Sequence, residues 1–239
     1  MNYKLVVCDM DGTLLTSNHR ISDYTADIIK KIEDNGIKFM IATGRPYLDA
    51  RYYRDSLELK SYLITSNGAR AHDEDNNLIV VENIPKEYVK RLLAYNVGKD
   101  IHRNIYLNDD WIIEYEIDGL VEFHKESGYG FNIDDLNKYE NEEVAKVFFL
   151  GKNEDIENLE KDMEKEFKND LSITVSSPFC LEFMKKGVNK AETLKISCNF
   201  SPIPSSLLFP TTSTLGKASI SLLLAFPIIN GFPTKLSIS

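Results

Sequence analysis

Cysteine is scarce in this chain. Cys8, Cys180 and Cys198 are the three among 239 residues. An odd number without metal-ligand spacing argues against a disulfide framework and a thiolate zinc site, and a reducing, cytoplasmic compartment is the expectation. Long apolar runs are missing too. No stretch approaches the roughly 20 residues that a membrane helix needs, and Met-Asn-Tyr-Lys-Leu-Val-Val at the start lacks a signal peptide's apolar stretch. No membrane partner is therefore expected. Basic charge is in short supply: 28 Lys and Arg against 37 Asp and Glu leave a net charge of −9. No general excess exists to neutralise a nucleic-acid backbone, although a small anionic substrate needs only a local positive site. The four histidines, His19, His72, His102 and His124, show no ligand spacing and read as structural. The sharpest absence is acidic. Asp and Glu run throughout residues 1–192 and do not occur in 193–239, which instead holds five of the eight prolines and nine serines.

What remains is ordinary for a globular protein: 43% of residues are hydrophobic and 27% charged. The length allows one large domain or two modest ones. Tyr3–Cys8 reads as a buried parallel strand. A helix follows, capped by Ser22, carrying Ala26, Ile28, Ile29 and Ile32 at helical spacing and stopping at Asn35-Gly36. Ile37–Ala42 is a second strand, and Pro46 suits the first position of the next helix. Tyr62–Thr65 is a third. Alternating strands and helices predict an α/β, doubly wound parallel, Rossmann-like sheet. From about Asn83 the texture changes. A helix over 85–98, a hairpin of 101–107 with 111–116, a strand over 144–150, a helix over 154–167 and strands over 171–175 and 180–184 predict a separate α+β module. The expected division is 1–82 for the first part of the core, 83–185 for the module, and 186–239 for the return.

The chemistry concentrates at strand ends. Asp9 and Asp11 follow Leu5-Val6-Val7 directly, with Gly12 available to turn the chain. Residues two apart on an extended chain point to one side. A carboxylate there can attack an electrophile, and its neighbour can give and take protons. Two such charges repel, so the pair calls for a nearby cation or a shared proton. Thr43-Gly44, after the second strand, offers a hydroxyl, an amide and a helix N-terminus to an anion. Arg45 is a further candidate anion contact. Cys8 points away from Asp9 and reads as packing, and Trp111 as packing within the module. The surface around Trp111, Tyr115 and Phe123 is a candidate for reading the substrate.

Together, Asp9-Met-Asp-Gly-Thr-Leu-Leu, Ala42-Thr-Gly-Arg-Pro, Ser66-Asn-Gly-Ala and Gly187-Val-Asn-Lys190 resemble the haloacid dehalogenase superfamily of phosphatases over about residues 3–194. The resemblance is closest to the Cof-type branch, subclass IIB, whose α+β cap (C2B type) is inserted between the second and third motifs. It implies an Mg²⁺-dependent phosphatase acting on a small phosphorylated metabolite, such as a sugar phosphate, through an aspartyl-phosphate. By the same resemblance Asp9 is the nucleophile and Asp11 the general acid/base. Thr43, Gly44 and Lys190 hold the phosphoryl group. Asp9 and the Asp11 main-chain carbonyl bind the metal, and Arg45 and Asn67 contact substrate. Neither the substrate nor the oligomeric state follows from the sequence.

The superfamily's fourth motif is an acidic loop 20–25 residues after the lysine. Here that window reads Leu207-Leu-Phe-Pro-Thr-Thr-Ser-Thr-Leu215. Thr211, Thr212 and Ser213 offer hydroxyls but no negative charge. Acidic residues, helical periodicity and motif are all lost near Leu194. That coincidence is what a shifted reading frame would produce, and it predicts a core incomplete at its C-terminal end. The alternative function is then a non-catalytic protein that at most binds phosphorylated ligands.

Overall fold

The computed structural model describes residues 5–200. Strand β1 (Leu5–Cys8) buries Val6 and Cys8 and half-buries Leu5 and Val7. Helix α1 (Asp23–Asp34) starts where the Ser22 hydroxyl accepts from the Thr25 amide at 3.1 Å. It carries the chain back to β2 (Lys38–Ala42), which lies parallel to β1 from Leu5↔Lys38 to Cys8↔Ile41. Helix α2 (Tyr47–Ser56) is preceded by Pro46, and leads to β3 (Leu63–Thr65), parallel to β2 at Ile41↔Leu63. Parallel neighbours require such crossovers.

The same sheet continues beyond the expected strands. β4 (Arg70–His72) and β5 (Leu78–Val81) add antiparallel to β3, giving the order β1-β2-β3-β4-β5. This hairpin was not legible because β4 carries polar residues on buried positions. The guanidinium of Arg70 is satisfied by the Ala69 and Glu82 carbonyls and by Asn83 and Asn108. Its turn closes where the Asp73 carboxylate accepts from the Asp75 and Asn77 amides at 2.9 and 2.8 Å.

A second sheet follows after α3 (Lys86–Ala94). It comprises β6 (His102–Tyr106), β7 (Trp111–Ile113), β8 (Asn132–Ile133), β9 (Lys146–Leu150), then, beyond α4 (Asn153–Phe167), β10 (Leu171–Ser177) and β11 (Cys180–Lys185), in the order β10-β11-β9-β6-β7-β8. Strand periodicity splits its faces. Ile105, Val147, Phe149, Leu181 and Phe183 pack on Val89 and Leu92 of α3 and on Ile156, Leu159, Met163 and Phe167 of α4. The alternate residues, Tyr106, Phe148, Cys180 and Glu182, look the other way into a cavity. Expected boundaries hold to within a few residues, and the helix expected over 85–98 ends at Ala94.

The chain returns through α5 (Lys190–Phe200). Leu194 of α5 packs with Met40, Ala42 and Ile64 on one face of the first sheet. Ile29 of α1 and Tyr47, Ala50 and Tyr53 of α2 pack with Val6, Cys8, Phe39, Ile41 and Leu63 on the other. Helices on both faces make this the expected doubly wound α/β architecture. Where the chain leaves for the second sheet and where it comes back, the Glu82 carboxylate and the Lys185 ammonium are paired. The fourth-motif window at 207–215 and the tail reading fall outside the described residues. No described helix is long and apolar enough to cross a membrane.

Candidate active site

The parallel strands β1, β2 and β3 end side by side, and ligands in such sheets gather outside the carboxyl ends of the strands. Asp9 leaves β1 still extended, and its Oδ1 accepts from the Met10 amide at 2.7 Å. Asp11 is extended as well. Gly12 then takes φ +71°, the left-handed region that suits glycine, and the chain closes one wide turn with Leu15 N to Met10 O at 2.9 Å. The loops after β2 and β3 are laced together: the Ser66 amide donates to Arg45 O at 2.9 Å and the Asn67 amide to Thr43 O at 3.0 Å. Ser66 and Asn67 both take positive φ, 49° and 57°, to make that fit.

Lys190 reaches the same place from the far end of the chain. Its Nζ lies 2.6 Å from Asp9 Oδ2. The helix that carries it is capped by Asn189, whose Oδ1 accepts from the Ala191 and Glu192 amides at 3.0 Å. Gly68 holds that helix against the third strand end. A Cβ there would lie 2.6 Å from Asn189 O, and the Thr193 hydroxyl donates to Gly68 O at 2.7 Å. Burial pushes the Asp9 carboxyl pKa up, partly offset by Lys190 and the Met10 amide. Burial also pushes the neighbouring Cys8 thiol up to about 12, leaving it as inert packing.

The other predicted residues divide. Gly44, Arg45 and Asn67 line the cavity with Asp9, Asp11 and Lys190. Thr43 is fully buried and is not among the lining residues; its hydroxyl accepts from the Arg45 amide at 3.1 Å. Arg45 is engaged by protein groups. Its Nη2 donates to Asp11 Oδ1 at 2.7 Å and its Nε to Asp11 Oδ2 at 2.9 Å, a two-pronged pair. Its Nη1 donates to Asp49 Oδ2 at 2.9 Å and to Phe123 O at 3.0 Å. Asn67 donates to Glu182 Oε2 at 2.5 Å. Trp111 packs within the second unit, its Nε1 donating to Asn104 at 3.0 Å, and one of its faces also borders the cavity. Tyr115 does not line the cavity, whereas Phe123 does.

Sequence reasoning missed two groups. The first is Asp49, fully buried on α2, with His124 and Ser127 of the second unit hydrogen-bonded to it. Burial raises the Asp49 carboxyl pKa, but the hydrogen bond from His124 and the charges around it bring it below the usual range. Of the histidines read as structural, His124 makes this contact, and His19 Nδ1 lies 3.3 Å from Arg45 Nη2. Asp49, in the first turn of α2, stands four residues after Arg45, which lies just before that helix, and opposite charges at that short separation are the signal the sequence offers. The second group is the buried ion pair Lys146–Glu182, at 2.9 Å. Lys146 also donates to Gly44 O at 3.0 Å and sits over the rings of Tyr106 and Phe148, at 4.6 and 4.9 Å. Nothing in the sequence marks that pair. Both groups border or support a cavity of about 850 Å³ between the two sheets, floored by the strand ends and roofed by Tyr106, Trp111 and Phe148.

A divalent cation does not fit the described residues on their own. A hard cation takes several oxygen ligands, usually with more than one carboxylate. The two carboxylates here are each neutralised by a protein cation, Asp9 by Lys190 and Asp11 by Arg45. No cluster of three His, Cys, Asp or Glu able to hold a metal occurs among the described residues.

The family model described as haloacid dehalogenase-like hydrolase matches residues 6–207. A Haemophilus influenzae relative is 35% identical over 197 residues, covering 81% of this chain and 72% of its own length. The HMP-PP phosphatase of Yersinia enterocolitica is 31% identical over 195 residues, covering 81% and 71%. Among solved structures, a haloacid dehalogenase-like hydrolase from Bacteroides thetaiotaomicron superposes with a TM-score of 0.73 at 22% identity, covering 83% of this chain and 77% of its own. A subclass IIB sugar phosphatase superposes at 0.69 and 20% identity, covering 82% and 75%.

Proposed function

Because the chain belongs to the haloacid dehalogenase-like hydrolases, we propose that it is a phosphatase that hydrolyses a small phosphorylated metabolite through an aspartyl-phosphate on Asp9. Residues 1–82 and 186 onward then form the catalytic core, and 83–185 form its cap. The observation that carries the reading is the pairing of Asp9 with Lys190 at 2.6 Å, on the floor of the cavity between the two sheets with Asp11 beside it.

The chemistry follows from those residues. An Asp9 carboxylate oxygen forms a bond to phosphorus as the ester P–O bond breaks; Asp11, having taken a proton from water as it gives up one of its Arg45 contacts, passes that proton to the departing alkoxide. Asp11, now a carboxylate, takes a proton from a water whose oxygen attacks the phosphorus. The bond to Asp9 breaks, releasing inorganic phosphate and restoring the carboxylate. Lys190 and the Gly44 amide meet the charge on the phosphoryl oxygens, the main requirement of phosphoryl transfer. Phosphotransferases of this superfamily generally depend on a metal, and the resemblance implies Mg²⁺.

Relatives of this chain include HMP-PP phosphatases, and the fold is shared with a sugar phosphatase. A panel of phosphorylated metabolites, with p-nitrophenyl phosphate as general probe, tests the reading with and without Mg²⁺ and EDTA. Hydrolysis that Asp9→Asn abolishes supports it. A second reading rests on the absence of any acidic residue beyond Glu192: a protein that binds phosphorylated ligands without turning them over. It predicts a ligand-dependent rise in melting temperature with no phosphate released at any Mg²⁺ concentration.

A further inference from the structure

Resting on the phosphatase reading, we propose that Asp49 is a positioning residue that ties the setting of the acid/base Asp11 to the seating of the cap. Asp49 belongs to the core, on α2, and is not among the residues lining the cavity. It touches no substrate, and it acts through Arg45. Its carboxylate takes donors from both units. Arg45 Nη1 lies 2.9 Å from Oδ2 and His124 Nδ1 2.8 Å from the same oxygen, while the Ser127 hydroxyl donates to Oδ1.

The guanidinium of Arg45 is flat and stiff, so fixing one edge fixes the other. One edge is held by Asp49 and by the Phe123 carbonyl, at 3.0 Å. The other grips Asp11 through Nε and Nη2. The Phe123 ring also lies against the guanidinium, 4.3 Å from its carbon. Phe123, His124 and Ser127 all come from one short cap segment, which ends its turn with the Gly128 amide on His124 O at 3.0 Å. Three cap groups thus fix the core assembly Asp49–Arg45–Asp11.

A fully buried carboxylate persists only while its partners surround it. Lifting the cap segment removes His124 and Ser127 from Asp49 and Phe123 from Arg45, which frees the Arg45 edge on Asp11. An ion pair retained for stability alone gains little when buried. This one lies on the seam between the two units, with its far end on the acid/base.

The test uses the full chain and two readouts. With an alkyl phosphate such as glycerol 2-phosphate, whose leaving group needs the proton, Asp49→Asn should lower kcat by about 10²-fold, the cost of a misplaced reacting group, while KM moves less than about threefold. His124→Phe should do the same. His124→Asn, whose side-chain amide can donate in place of Nδ1, should restore most of the rate. Amide hydrogen exchange needs no turnover. In Asp49→Asn the amides of 122–128 should exchange at least about tenfold faster, with β9 and β11 unchanged. A wild type that hydrolyses nothing overturns the phosphatase reading and leaves exchange to decide the coupling. Unchanged exchange at 122–128, accelerated exchange throughout the chain, or an unchanged kcat in an active wild type would each overturn the role of Asp49.

Discussion

Lys190 and Asp9 stand 181 positions apart in sequence and 2.6 Å apart in space, Nζ to Oδ2. Everything between them, including the whole second sheet, is spanned so that one ammonium can sit on one carboxylate. Lys190→Met should lower kcat/KM by about 10² to 10³, as loss of one preorganised charge partner does. It should also move the acidic limb of the pH–rate profile upward. Burial already raises the Asp9 pKa and Lys190 opposes that rise, so its removal lets the carboxylate protonate at higher pH. An acidic limb that stays in place or shifts downward would remove Lys190 from this role.

Asp11→Asn separates proton transfer from nucleophilic attack. Loss of a general acid costs about 10² to 10⁴. The loss should be small for p-nitrophenyl phosphate, whose leaving group needs little protonation, and large for an alkyl phosphate. Equal losses on both esters would mean that Asp11 serves only to hold Arg45.

Lys146 and Glu182 are both buried, and the pair is bonded at 2.9 Å. Lys146→Met strands a buried carboxylate and should cost about 3–5 kcal/mol in urea unfolding. Replacing both residues with Met should recover most of that loss, because an apolar pair of similar volume carries no desolvation cost. A double variant no more stable than the single one would contradict the account.

His72 gives a pH signature of folding. It is buried and stacked on Tyr47 with ring centres 3.5 Å apart, and its Nδ1 has no hydrogen-bond partner. Burial, with Arg54 and Arg70 nearby, pushes its pKa down to about 4. The unfolded chain protonates near 6.5 and therefore binds the extra proton between these values. The neutral ring's contribution is complete above pH 6.5 and is lost as pH falls toward 4, by about 3 kcal/mol in all. Urea midpoints at pH 7 and pH 4.5 should fall further for wild type than for His72→Phe. Equal falls would show that His72 does not stay neutral.

Much of this was legible because the signals were local. The run Leu5–Cys8 with Asp9 and Asp11 behind it, the Thr43-Gly44 turn and the alternating strands and helices are read from neighbours in sequence. β4 was not, because its polar Arg70 and His72 look exposed until Asn83, Asn108 and two carbonyls absorb the guanidinium. Nor was the His124–Asp49 contact, which joins residues 75 positions apart. Lys146 and Glu182 meet only when β9 pairs with β11. A lone charged residue in a strand carries no mark of what the facing unit will bring to it.

The chain crosses between the two units twice, and the crossings run together. Glu82 on the outgoing strand and Lys185 on the incoming one are paired, and the Glu82 amide is pinned to Ala69 O at 2.9 Å. A single crossing would be a cord, about which the upper unit could swivel freely. Two crossings bound side by side make a door hinge, which resists twisting and leaves one axis to swing about. On such an axis any displacement of the upper unit follows one arc, which keeps Phe123 and His124 in line with Arg45 and Asp49.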